Sequence, residues 1–206
     1  MHPAVAARIE GARSKRSAIV TAAIDRFARN GFEHTKWSTI AEDVGIGEGT
    51  LYYYFESKSE CLLAIVRMEL AQQLERLEQV TRQLEDPTEA LRAAVRSAFE
   101  GTAREALQRQ ILQNHIDLLS TPRHLKSEEC ERRRSRALAG ALEQGWAGLI
   151  RRGVQSGDFP ARDVDMSTRL ALSLVVAAWR WHRPDGQYTL DEIVQSTSDA
   201  VLRVVA

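Results

Sequence analysis

The chain has 206 residues, 44% of them hydrophobic, which suits one large domain or a small module joined to a larger one. Its 28 basic and 28 acidic residues cancel, so no global positive field points to nucleic acid and a polyanionic partner has to be held by a local patch. Two cysteines, Cys61 and Cys130, stand far apart, which argues against a disulfide framework or zinc ribbon and for reduced thiols in a cytoplasmic protein.

The opening stretch "MHPAVAARIEGARSKRSAIV" lacks the continuous apolar core of a signal peptide, and the longest apolar run, "LALSLVVAAW" at 170–179, is too short to cross a bilayer. A soluble protein with no membrane partner is expected. In chain order, Arg13, Lys15 and Arg16 come first, as a cationic arm ahead of the first helix. The arm either follows a phosphate backbone or is a solvated, frayed terminus. Ile19, Ala23 and Phe27 then recur at intervals of four, with Val20 and Ile24 widening the stripe, until Asn30-Gly31. That spacing predicts an amphipathic helix closed by residue types that tolerate a left-handed cap. A short helix is predicted from about Trp37 to Val44, stopped by Gly45, and another from near Gly47. Ser57 and Glu60 have the spacing of a capping box and open a long helix to about Leu84, lined by Leu62, Val66, Leu70, Leu74 and Leu77. Further helices are predicted at 88–103, 105–120, 124–155, 163–182 and 190–205, with breaks at "STP", "SGDFP" and "RPDGQY". Nothing alternates with period two for long enough to suggest a sheet. The predicted fold class is all-α.

The segment "WSTIAEDVGIGEGTLYYYFESK" (37–58) holds two short helices around a glycine-bearing turn, which makes a helix-turn-helix. In that motif the second short helix enters the major groove with its N-terminal residues against base edges. Ile40, Ala41 and Val44 should face inward, Ile46 and Leu51 should complete the small core, and Phe55 should anchor the turn into the long helix. Gly47 suits an N-cap, and Gly49 leaves room for close backbone approach to DNA. Outward tyrosines offer rings to sugars or thymine methyls and hydroxyls to phosphates. Lys58 would join its charge to the positive end of the long helix against a phosphate.

The pattern "AAIDRFARNGFEHT", then "IAEDVGIGEGTLYYYFESK", then a leucine-rich helix resembles the DNA-binding domain of TetR-type transcriptional regulators over residues 13–73, with the helix-turn-helix at about 36–55. Residues 74–206 are then expected to form a helical effector-binding and dimerisation domain. The resemblance implies a non-enzymatic, ligand-responsive repressor without cofactor or metal. It would be a homodimer that reads a near-palindromic operator in double-stranded DNA and releases it when a small hydrophobic effector binds. It implies that Thr50 and Tyr53 lie nearest the bases and that Tyr52 and Lys58 lie on phosphate. Gly49, Trp37, Ser38 and the arm of Arg13, Lys15 and Arg16 complete the expected contacts. Three positions depart from the family's pattern. Lys36 stands where a capping serine or threonine is usual, so the cap passes to Thr35 or Ser38; Gly47 stands in place of a serine; and Glu48 stands where a basic or polar residue is common. Glu48 either accepts a hydrogen bond from cytosine N4 or merely pairs with a cation or caps the helix. Residues 1–60 carry eight cations (8, 13, 15, 16, 26, 29, 36, 58) and eight anions (10, 25, 33, 42, 43, 48, 56, 60), so the module is neutral.

In the C-terminal part, the 163–182 helix is apolar on several faces, through Leu170, Leu172, Leu174, Val175, Val176, Ala177, Ala178 and Trp179. Such a helix must be buried on more than one side, which packing against its own core and against a partner subunit would satisfy. "WRWHRPDGQYTLDEI" (179–193) resembles, through Pro184, Gly186, Leu190, Glu192 and Ile193, the ending of a TetR subgroup that represses fatty-acid or steroid catabolism. That likeness implies an effector of the acyl-CoA type or another hydrophobic carboxylate derivative. Candidate pocket residues are Asn114, His115, Trp146 and Trp179; the alternative for His115 is a bond to a neighbouring side chain or carbonyl, and for Trp146 plain core. "EECERRRSR" (128–136) reads as a solvated helix face, or else Arg132, Arg133 and Arg134 bind a phosphate tail. A helical-bundle enzyme is the rival reading, but the five histidines show no HExxH or paired Glu-x-x-His spacing. A helical adaptor with a degenerate helix-turn-helix is the other.

Overall fold

The computed structural model describes residues 3–181 and 186–205, and among these the secondary structure is helical, with no strand. The order is α1 (Pro3–Asn30), α2 (Trp37–Val44), α3 (Glu48–Tyr54), α4 (Lys58–Thr81), α5 (Pro87–Phe99), α6 (Ala103–Asn114), a 3-10 turn (Ile116–Leu119), α7 (Lys126–Ser156), α8 (Val164–Trp181) and α9 (Leu190–Val205). The all-α expectation holds. Local signals set most boundaries. Asp86 caps α5 by accepting from the amides of Thr88 and Glu89, and Pro87 sits at the first helical position, where no amide is needed. The Ser57 hydroxyl accepts from the Glu60 amide at 2.9 Å, as the capping box requires; the Glu60 carboxylate reaches one residue further back, to the Glu56 amide, at 2.7 Å.

The start of α1 differs from expectation. Arg13, Lys15 and Arg16 lie inside α1 and not on an arm before it. The run from Ala4 to Ala18 is rich in alanine and arginine, good helix formers, and Gly11 alone is too weak a breaker to stop it.

The chain divides into two compact units, Met1–Glu69 with Ala103–Ser135, and Leu70–Thr102 with Arg136–Ala206. Compactness therefore groups α6, the 3-10 turn and the start of α7 with the N-terminal helices, whereas the sequence resemblance ends near residue 73. In the first unit α1 packs on α2 and α6. Its core joins Ile19, Ile24 and Phe27 to Ile40, Leu51, Phe55, Leu62, Ile65 and Ile111. In the second unit α5, α8 and α9 pack together around Leu91, Val95, Trp146, Ile150, Phe159, Val175 and Val201. Ala171, Val175 and Ala178 of α8 are buried there, while Met166, Leu170 and Val176 of the same helix are exposed. Pro184, part of the expected turn before α9, lies outside the described residues.

Candidate nucleic-acid interface

Gly45 ends α2 in the left-handed region (φ 71°), which a side chain would strain, and its amide donates to the Glu42 carbonyl at 3.0 Å. The Ile46 amide reaches the Ala41 carbonyl at 3.0 Å, completing a tight reversal. Gly47 then caps α3 in an extended conformation, without a side-chain hydrogen bond. Two anchors four residues apart, Leu51 of α3 (0% exposed) and Phe55 at its C-cap (1% exposed), pin the helix and its end into the core. Burying side chains of this size stabilises by about 1.5–3 kcal/mol each. The opposite face is left to solvent: Glu48, Gly49 and Thr50 are exposed, Tyr52 is 51% exposed and Tyr53 81%. Tyr54, half-buried, braces Tyr53 edge-on with ring centroids 5.3 Å apart.

Phe55 is also the hub for residues expected at the DNA. The Arg16 guanidinium stacks over its ring at 4.3 Å, and the Trp37 indole meets it edge-on at 6.4 Å. Arg16 is thus half-buried against the protein, whereas Arg13 and Lys15 are exposed on α1. Trp37 and Ser38, in the first turn of α2, are half-buried, and the buried Trp37 Nε1 lacks a hydrogen-bond partner among the described residues.

Lys58 departs most from expectation. Its ammonium donates to the Phe32 carbonyl at 2.8 Å and the Thr35 carbonyl at 3.0 Å, and it lies over the Phe32 ring at 4.3 Å. Two of its three donors are committed inside the protein, so it clasps the start of α4 to the loop between α1 and α2. Thr35 does not cap α2 either: its hydroxyl donates to the Gly31 carbonyl at 2.8 Å, with the Arg26 carbonyl 3.3 Å away. Lys36 occupies the cap position with no side-chain hydrogen bond, so among the described residues no side chain caps the first turn.

Sequence reading missed the Arg26–Asp43 pair, a bidentate contact with both distances 2.6 Å that fixes α1 against α2. Hydrogen bonding to Arg26 holds the Asp43 carboxyl below its ordinary range. No local signal marks the pair, because its members are 17 residues apart.

The expected effector residues divide between the two units. His115 packs its ring edge-on against Phe32, with centroids 5.6 Å apart, and burial pushes it below the ordinary histidine range. Asn114, at the end of α6, is exposed. Trp146 belongs to the core of the second unit, and Trp179 meets Phe99 edge-on at 6.1 Å there. The arginine cluster of α7 is not a uniformly solvated face. Arg132 is buried, donating to both oxygens of Glu129 (2.7 Å each) and to the Leu119 carbonyl (2.8 Å). Glu128 accepts from Ser57 at 2.6 Å, and Glu131 accepts from Arg67 at 2.6 Å. Only Arg133 and Arg134 of the three arginines are exposed. Among the described residues no group of three or more His, Cys, Asp or Glu could hold a metal, and no helix is long and apolar enough to cross a membrane.

A three-helix head with a glycine-turned second and third helix, followed by further helices, defines a helix-turn-helix protein of the bacterial regulator type. Residues 19–65 match the bacterial regulatory proteins of the tetR family, and residues 84–205 match the tetracyclin repressor-like C-terminal domain. The chain belongs to the TetR family of transcriptional regulators. It is 26% identical over 190 residues to the HTH-type transcriptional repressor KstR2 of Mycobacterium tuberculosis (strain ATCC 25618 / H37Rv), covering 92% of each chain. It is 24% identical over 194 residues to the fatty acid metabolism regulator protein of Bacillus subtilis (strain 168), covering 92% of this chain and 95% of that one. Among solved structures it shares its fold with AibR in complex with isovaleryl coenzyme A and operator DNA, at TM-score 0.75 and 19% identity, covering 90% of this chain and 97% of that one.

Proposed function

We propose that the protein is a cytoplasmic, homodimeric repressor that inserts one α3 per subunit into successive major grooves of a near-palindromic operator. The observation that carries this reading is the division of α3 and its end: Leu51 and Phe55 are sunk in the core, while Glu48, Gly49, Thr50, Tyr52 and Tyr53 are exposed. Thr50 and Tyr53 then lie nearest the bases, and Tyr52 meets phosphate. The uncapped first turn of α2, beside Trp37 and Ser38, suits a second phosphate, and exposed Arg13 and Lys15 suit others along α1. Lys58 sets the start of α4 and keeps one donor for phosphate.

The exposed Met166, Leu170 and Val176 of α8 support a subunit interface on that helix, since a lone chain gains nothing from an apolar face in water. The likeness to KstR2, to a fatty acid metabolism regulator and to an isovaleryl-CoA-bound neighbour supports a hydrophobic acyl-CoA effector. Its binding would release DNA by favouring a dimer in which the two heads no longer match the operator. The test is selection of duplexes from a random pool, followed by titration of the selected duplex at several salt concentrations with and without acyl-CoA thioesters. Tyr52→Ala/Tyr53→Ala should weaken binding at least tenfold with an unchanged melting curve. Equal binding by a folded double variant would refute the reading.

A further inference from the structure

Gly47 and Gly49 flank Glu48 at the tip of α3, and nothing inside the protein requires glycine at either place. An added Cβ would meet no atom within 4 Å at either position, and neither has a positive φ. Missing side chains that the fold does not demand suit an outside surface that must come close. Between them Glu48 is the one side chain at the tip, exposed and four residues from Tyr52 on the same helical face. Among the described residues its carboxylate makes no ion pair and caps no helix. A lone carboxylate facing a polyanion is repelled unless a specific donor compensates it.

From this, and resting on the DNA-binding reading above, we infer that Glu48 reads a cytosine in each half of the operator. An ionised carboxylate only accepts hydrogen bonds, which rules out the O6 and N7 of guanine and the O4 of thymine. Adenine offers its N6 amino group beside the N7 acceptor, which repels a carboxylate and suits an amide instead. Cytosine offers the N4 amino group without an acceptor next to it on the same base edge. Glu48 therefore gives selectivity at the expense of affinity for duplexes in general.

The experiment selects duplexes from a random pool with the full-length wild-type protein, then measures wild type, Glu48→Gln and Glu48→Ala on the selected duplex and its single-pair variants. The wild-type motif should hold a C·G pair at one fixed place in each half-site. Replacing it by T·A should weaken wild type by about 5- to 100-fold and Glu48→Ala by less than about twofold. Glu48→Gln should shift the preference at that place toward adenine, and both variants should bind random duplex more tightly than wild type. Identical base preferences for wild type and Glu48→Ala at every position would overturn the inference and leave the DNA-binding reading standing. A wild-type protein that enriches no motif and binds duplex without salt dependence would remove both.

Discussion

Lys58 separates two accounts of how the head is built. Lys58→Met keeps the apolar stem and removes the ammonium, so the carbonyls of Phe32 and Thr35 lose donors at 2.8 and 3.0 Å and the Phe32 ring loses its cation at 4.3 Å. Charge-assisted hydrogen bonds contribute about 1.5–3 kcal/mol each, and a cation over a ring adds about 0.5–2 kcal/mol. Both contacts are only partly buried and water can replace part of the loss, so the net cost should be about 2–3 kcal/mol. For a chain of this size that lowers the melting temperature by about 5–10 °C. The assay pairs thermal unfolding with duplex binding over a range of salt, and Lys15→Met on the exposed side of α1 serves as control. A residue acting mainly on phosphate would instead leave unfolding unchanged and reduce the salt slope by about one. An unchanged melting temperature with a reduced slope for Lys58→Met would refute the clasp.

Two other perturbations test other parts of the molecule. A Cβ at Gly153 would overlap the ring of Phe159, so Gly153→Ala should destabilise by about 1–3 kcal/mol in thermal unfolding; Gly148→Ala on the same helix meets nothing within 4 Å and should be neutral or stabilising by up to about 1 kcal/mol. Equal effects of the two would show that Phe159 does not pack on α7. Hydrogen bonds from Arg132, Arg133 and the Arg123 amide hold the Glu129 carboxyl well below the usual carboxylate range. Because the folded value is depressed, the stabilisation is present above the ordinary glutamate value of 4.5 and is lost as pH falls through the folded value. Glu129→Gln should therefore destabilise at neutral pH and flatten the decline of melting temperature below pH 4.5. An unchanged acid slope would exclude the network as a source of acid sensitivity.

The helix ends and buried anchors of the helix-turn-helix were legible because their signals are local. Asn30-Gly31 and Gly45 announce left-handed helix ends, Ser57 with Glu60 announces a start, and Leu51 with Phe55 four residues later announces a buried stripe. Those features depend on nothing further than about one turn away, so the chain states them directly. The spacing of "GTLY" and "SK" carried the family for the same reason, since a reading helix tolerates little change in where its anchors fall.

Charged residues were less legible. Lys58 reads as a phosphate ligand until the loop 26 residues away brings it two carbonyls. Arg132 reads as solvated until the Leu119 carbonyl and Glu129 enclose it, and nothing local pairs Arg26 with Asp43, 17 residues away. Asn114 and His115 fall in one compact unit and Trp146 and Trp179 in the other, a grouping made by contacts between distant segments of the chain. By itself the sequence determined most helix boundaries, though not the start of α1 or the break after Asn114, and which faces are apolar, because backbone propensity and hydrophobic period act within a few residues. Only the tertiary structure decided which charges are spent inside and which remain for a partner, because an ion pair or hydrogen bond is settled by atoms that folding brings from elsewhere in the chain.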